Sequence, residues 1–384
     1  MNTSYDPRTG TITEPENKWF VSEAKLNPDQ KRLVDSINPS TPNLWIKGPP
    51  GTGKSLVLLH IAHKILEINP SAKILLVVFT KSLAEMFKTA LREFNLYFMV
   101  TSIYRFMNDP QKFDYILCDE VEDFTPKMLA TIEQNADHLI VAGDAHQSIY
   151  TKDQKWKENT VDMSQLPELI HCKTEELTII ERFSTNIMQA VQSFLGGNFF
   201  GSCTNLNIND SKVTLYKANS LNAEVSFVVK KALKNIEMGY TSAILIPNQQ
   251  KILDFINLTF NAFNKPEWEI SENNYGKPDF GALNRYFYEC NLKIKYIGNG
   301  YGYFNSKVDY VVISSYYSAK GIDFDYIFLP FCNNNLNISY DRELAKRIFL
   351  VALTRARMNV YISYTDTMHE YVQTFANNCS IKSI

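Results

Sequence analysis

The chain has 384 residues, 45% of them hydrophobic and 21% charged, with a formal net charge of −2, which suits a globular protein of about two or three domains with ample core. No apolar run approaches the roughly 20 residues needed to span a membrane, and the polar start MNTSYDPRTG lacks a signal-peptide layout, so a cytoplasmic location is expected. A sequence pI of about 6.3 provides no global field to attract nucleic acid, so any such site must be a local groove.

In chain order, residues 1–25 read as a polar, irregular leader. Asn27 can then cap a helix entered through Pro28 and running to about Ile37. Leu44-Trp45-Ile46 reads as a short apolar strand, and Leu56 to Leu66 as a helix. Between them stands Gly48-Pro49-Pro50-Gly51-Thr52-Gly53-Lys54-Ser55, the G-x-x-x-x-G-K-[ST] pattern of a loop whose backbone N–H groups cradle nucleotide phosphates. Its glycines let the backbone curl and visit positive φ, and the helix starting near Lys54 aims its positive end at the phosphates. Lys54 would supply a point charge to the β- and γ-phosphates, and Ser55 a hydroxyl ligand for Mg²⁺.

Strands at 44–46, 73–79, 115–118 and 138–142 alternate with helices at 54–68, 82–93 and 126–134, which predicts a parallel sheet covered on both faces. A second series follows, with strands at 176–180, 212–216, 242–246, 309–314 and 325–329 and helices at 184–195, 221–237, 249–260 and 341–353. The simplest organisation is two α/β domains, 1–175 and 176–384. The Asn- and Tyr-rich stretch 262–306 carries no clear pattern. The six cysteines are scattered without C-x-x-C pairs, so they read as free thiols, most of them in the core.

The strand at 115–118 ends in Asp119-Glu120. Placed beside the phosphate loop, it would deliver Asp119 to Mg²⁺ and Glu120 to the attacking water as general base. The next strand ends in Gly143-Asp144-Ala145-His146-Gln147, which places Gln147 to sense the γ-phosphate or its water.

Taken in order, Gln30, the phosphate loop, Asp119-Glu120-Val121-Glu122-Asp123, Gly143-Asp144-x-x-Gln147-Ser148-Ile149-Tyr150, Arg182, Ser318-Ala319-Lys320-Gly321-Ile322-Asp323-Phe324 and Val351-Ala352-Leu353-Thr354-Arg355-Ala356-Arg357 resemble the motif set of UvrD-like superfamily 1 helicases. The resemblance spans nearly the whole chain. It implies two tandem RecA-like domains with parallel sheets, ATP and Mg²⁺ between them, and single-stranded nucleic acid, DNA before RNA, across their tops. It further implies that Gln30 reads adenine, that Arg182 and Arg355 reach the γ-phosphate from the second domain, and that Lys320, Gly321 and Asp323 couple the nucleotide to the nucleic-acid track. Asp323 stands where the family has Glu. A bidentate cation supplied across a cleft would make domain closure depend on ATP.

Candidate track residues are Phe79, Thr80, Tyr104, Ser315 and Tyr317, because rings stack on bases without reading sequence while hydroxyls hold phosphates. The chain departs from the family at Tyr104 and Tyr317, where His is usual, and at Leu56 and Glu181, where Arg and Tyr normally flank adenine. The Gly-x-Arg-Gly-Ala that often follows Gln-Ser-Ile-Tyr is missing, with Trp156 nearby as a substitute ring. The intervals 79–119 and 262–306 are too short for the family's accessory domains. These features predict an ATP-hydrolysing motor core on single-stranded nucleic acid. The alternative is an ATP-dependent regulatory or assembly subunit that controls a protein partner in a phage-defence or mobile-element system without unwinding.

Overall fold

In a computed structural model, the described residues are 22–153, 155–207, 211–302 and 309–384, together with the backbone of two short strands near the start. Those strands, β1 (Ser4–Asp6) and β2 (Thr11–Thr13), pair antiparallel inside the stretch expected to be irregular. The rest of the leader up to Val21 lies outside the described residues.

The first sheet has six strands: β3 (Leu44–Lys47), β4 (Ile74–Val78), β5 (Met99–Ser102), β6 (Phe113–Cys118), β7 (Ala136–Gly143) and β8 (Lys173–Glu176). They run parallel in the order β5-β4-β6-β7-β3-β8, with Leu44 opposite Ile140 and Leu76 opposite Leu117. All five residues of β4 are buried, the continuous apolar run expected of a strand covered on both faces. Two readings of the sequence need correction here. The strand bearing Asp119 does not neighbour the phosphate-loop strand, because β7 lies between β6 and β3. The strand expected at 176–180 is split: Lys173–Glu176 forms a charged edge beside β3, and β9 (Ile179–Ile180) pairs with β10 (Thr204–Asn205). A charged edge strand discourages pairing with other chains.

The second sheet has seven parallel strands: β11 (Val213–Ala218), β12 (Ser242–Ile246), β13 (Ile294–Tyr296), β14 (Val311–Ser315), β15 (Phe324–Leu329), β16 (Ala356–Thr365) and β17 (Ser380–Ser383). Their order is β13-β14-β12-β15-β16-β11-β17. The stretch 262–306 contributes β13 and the helix Phe280–Glu289, whose Phe280, Leu283 and Phe287 form a buried stripe at helical spacing. One apolar core runs through both sheets, joining Ile46, Val57 and Leu83 to Ala319, Ile322 and Val351. Two further cores cover the outer face of each sheet, around Phe124 and Met128 in the first and around Phe255 and Phe260 in the second. All six cysteines are free thiols, as expected, but only Cys118 and Cys332 are buried. Among the described residues no helix is long and apolar enough to cross a membrane.

Candidate functional site

The phosphate loop joins β3 to the helix Lys54–Ile68. Gly51 and Gly53 take φ of 87° and 81°, the left-handed region that a side chain at either position would resist. At Gly48 the constraint is space, since a Cβ there would lie 2.8 Å from Thr52 Oγ1 and 2.9 Å from the Leu177 carbonyl oxygen. Pro50 is buried and Pro49 half-buried. Thr52 Oγ1 donates to the Pro49 carbonyl, and Lys54 Nζ donates to the carbonyls of Gly48 and Pro49 at 2.8 and 3.3 Å. Lys54 is thus gathered into the hollow of the loop.

Ser55 Oγ donates to Asp119 Oδ2 at 2.6 Å, which unites the two expected metal ligands although β7 separates their strands. A hydroxyl and one carboxylate are hard oxygen donors, and they fit Mg²⁺, which keeps waters and substrate phosphates as its other ligands. Burial and the neighbouring Glu120 charge raise the Asp119 carboxyl to about 7, against the opposing pull of Ser55 and Lys54. Burial would raise Glu120 as well, but Lys320 leads the groups that bring it down to about 2. Glu120 stands at φ 57° with Oε2 3.4 Å from Lys320 Nζ, and it is therefore held ionised. A carboxylate of that basicity orients a water better than it strips a proton from one.

Lys320 lies on the turn after β14, yet its ammonium is seated in the first sheet's acidic segment. It is 1% exposed and reaches Glu122 Oε1 at 2.7 Å, the Asp123 carboxylate, and the Gln147 carbonyl at 2.8 Å. The acids are themselves fixed by the backbone: Glu122 Oε2 accepts from the Asp144 amide, and Asp123 Oδ1 from the Ile149 and Tyr150 amides. Lys320 therefore touches the acidic strand end rather than the phosphate loop. Its neighbour Gly321, at φ 79°, lies against the helix Lys81–Glu93, where a Cβ would stand 2.9 Å from Leu83 Cδ1. Glycine is required there by both conformation and space.

A second bridge is made by Arg355, also 1% exposed. Its NH2 donates to Gln147 Oε1 at 2.7 Å, its Nε donates to the Val351 carbonyl, and Gln147 Nε2 donates to Asp144 Oδ2 at 3.0 Å. Burial, with Arg182 next, lowers the Arg355 guanidinium to about 10, which leaves it cationic at neutral pH. Arg182 pairs with Asp323 through Nε at 3.1 Å, and its amide donates to the Gly51 carbonyl at 3.3 Å. Burial of Asp323 opposes ionisation, but Arg182, Arg357 and Arg355 outweigh it and hold the carboxyl below its usual range.

Gln30 is the third residue of the helix Pro28–Asp35 and closes a capping box with Asn27. Its Nε2 donates to the Thr52 carbonyl at 3.0 Å and to Glu181 Oε2 at 3.1 Å.

The track candidates form a ring cluster on the first sheet. Phe79 is buried between Tyr104 and Tyr150, at centroid distances of 5.6 and 4.6 Å. Thr80 caps the helix Lys81–Glu93 by accepting from the Leu83 amide. Tyr104 stacks on Trp156 at 5.6 Å and 7°, donates its hydroxyl to Asp153 at 2.6 Å, and stays protonated through burial and that carboxylate. Lys155 lies 4.6 Å from the Trp156 ring centre. From the second sheet, Tyr317 approaches Tyr150 at 6.1 Å, and Ser315 Oγ bonds Ser318. Sequence reasoning passed over Asp144, Glu122, Asp123 and Asp153 as individual supports. The four acids among residues 119–123 and the two-residue offset of Asp153 from Lys155 were the available signals.

Comparison with known proteins places two families on the chain. Residues 30–153 match the AAA domain family, and residues 292–367 match the UvrD-like helicase C-terminal domain. A 97-residue stretch is 36% identical to F-box DNA helicase protein 1 of Schizosaccharomyces pombe, covering 24% of this chain and 11% of that protein. Among solved structures, the helicase of PRRSV covers 92% of this chain and 56% of its own at 14% identity and a TM-score of 0.42. The C-terminal domain of a possible DNA helicase from Lactobacillus plantarum covers 52% and 97% at 13% identity and a TM-score of 0.34. With the AAA domain family matched on its first sheet and the UvrD-like helicase C-terminal domain matched on its second, in that order, the chain is similar to the UvrD-like helicases.

Proposed function

We propose that the chain hydrolyses ATP with Mg²⁺ and moves along single-stranded nucleic acid, DNA before RNA, using residues 1–175 and 176–384 as its two RecA-like units. The observation that carries this reading is the Arg355–Gln147–Asp144 relay, in which a buried arginine from the second sheet is hydrogen-bonded to the loop after β7 of the first. The bound nucleotide would supply the transferring phosphoryl group, and Mg²⁺ would neutralise charge on its oxygens. Lys54 and the loop amides bind the phosphates, and Ser55 and Asp119 orient the ion. Glu120 and Gln147 position water, and Arg355 with Arg182 counters the charge that develops.

Coupling to the nucleic acid follows from chain continuity. Lys320 and Gly321 sit three to six residues beyond Ser315 and Tyr317, so a change at the acidic strand end moves the track-facing turn. The test is the ATPase rate with and without oligo-dT and oligo-U. Stimulation by oligo-dT is expected, and a rate that neither strand changes refutes the motor reading.

A further inference from the structure

The segment Glu181-Arg182 runs along the phosphate loop, since the amides of both residues donate to the Gly51 carbonyl, at 3.1 and 3.3 Å. Their side chains diverge. Arg182 turns to Asp323, whereas Glu181 turns to the start of the helix Pro28–Asp35, where its Oε2 accepts from Asn27 Nδ2 at 2.9 Å and from Gln30 Nε2 at 3.1 Å.

This arrangement uses up the donors of Gln30. One Nε2 proton goes to Glu181 and the other to the Thr52 carbonyl, while Oε1 accepts from the Asn27 amide at 3.1 Å. The amide cannot be turned over, because its oxygen would then face a carboxylate and a carbonyl, both acceptors. Gln30 is also 1% exposed, and its Nε2 lies 2.5 Å from where a Cβ on Gly53 would stand. Glu181 is only partly buried, and its Oε1 takes no hydrogen bond among the described residues. What the Gln30–Glu181 pair leaves free at this edge of the phosphate loop is therefore an acceptor, Glu181 Oε1.

We propose that Glu181 sets the base selectivity of the nucleotide site and makes it admit guanine at least as well as adenine. The proposal rests on the reading of the phosphate loop as a triphosphate site with Gln30 beside the base. Either hydrogen-bonding edge of adenine sets one N–H donor next to an acceptor nitrogen, which a carboxylate repels. The N1–H and N2–H groups of guanine are adjacent donors, and a carboxylate accepts both in a charge-assisted pair. A glutamine free to offer one donor and one acceptor would favour adenine. Here Glu181 holds that glutamine in place and presents its own oxygen instead.

The experiment is competition of unlabelled ATP and GTP against a fluorescent triphosphate in Mg²⁺, read by anisotropy on the full chain and on Glu181→Gln. Wild type is expected to bind GTP as tightly as ATP or more tightly, and E181Q to shift the ratio toward ATP by about tenfold, as expected when one charge-assisted bond is replaced by a neutral pair. Circular dichroism confirms that E181Q is folded. Wild-type preference for ATP above threefold, or an unchanged ratio in E181Q, overturns the proposal while leaving the triphosphate site standing. Binding of neither nucleotide overturns that site itself, a distinct outcome that Lys54→Ala would reproduce.

Discussion

Replacing Lys320 by methionine keeps the length of the side chain and removes its charge. The ammonium is 1% exposed and faces Glu122, Asp123, Glu120 and the Gln147 carbonyl, so water does not take its place. Removing one partner from a buried ion pair costs about 3–5 kcal/mol, because the remaining charges are left uncompensated. That cost is a factor of roughly a hundred to several thousand in the equilibrium for the joined state. In a chain with one core running through both sheets, it corresponds to a fall in Tm of roughly 4–6 °C. Differential scanning calorimetry of K320M, E122Q and the double variant measures both the loss and the coupling. Because Glu122 lies 2.7 Å from the ammonium, removing its charge should spare K320M at least about 1 kcal/mol. A Tm within 2 °C of wild type, or additive single losses, would refute the idea that this ammonium pins the two sheets together.

Arg355→Ala should leave ATP affinity within about tenfold and lower single-turnover hydrolysis by on the order of a thousandfold; hydrolysis at the wild-type rate removes Arg355 from the site. Trp156→Ala should weaken oligo-dT binding, measured by anisotropy, by about 1–3 kcal/mol, and unchanged affinity would mean that the Tyr104–Trp156 stack is a core contact. Glu224 is buried, with Oε1 held by the Phe331 amide and Ser363 and with Oε2 lacking a partner among the described residues, and burial raises its carboxyl above 4.5. Its stabilising contribution is therefore fully present below that value and is lost as pH rises through the raised pKa. The Tm difference between E224Q and wild type should move in favour of the variant as pH rises from 4.5 to 8, and a pH-independent difference would contradict this.

The parts of the fold that were legible in the sequence were those in which one physical demand dominates. β4 is apolar throughout because both its faces are covered, and the phosphate loop announces its own strand and helix. β5 escaped because an edge strand of four residues with one buried position carries almost no apolar signal. β16 escaped because its first half holds Arg357 and Asn359 and is mostly half-buried, and only its last four residues are continuously buried. The helix Phe280–Glu289 was legible in principle, since its buried stripe is regular, but the surrounding Asn and Tyr masked it. At the site, local motifs identified residue types, and the order of the motifs carried the resemblance to UvrD-like helicases. What they could not convey was pairing across the chain: Glu181 with Gln30 at a separation of 151, Lys320 with Glu122 at 198 and Arg355 with Gln147 at 208. Such contacts are set by tertiary packing and leave no periodicity to read.

The burial of Lys320 and Arg355 also determines how the molecule responds to ionic strength. Mobile ions screen exposed charges over about 8–10 Å at physiological salt but do not enter a dry cluster. Contacts with phosphates, by contrast, weaken steeply as counterions compete for them. Added salt should therefore strip a bound strand from this protein well before it loosens the join between the two sheets, so the two processes can be titrated one at a time in a single preparation.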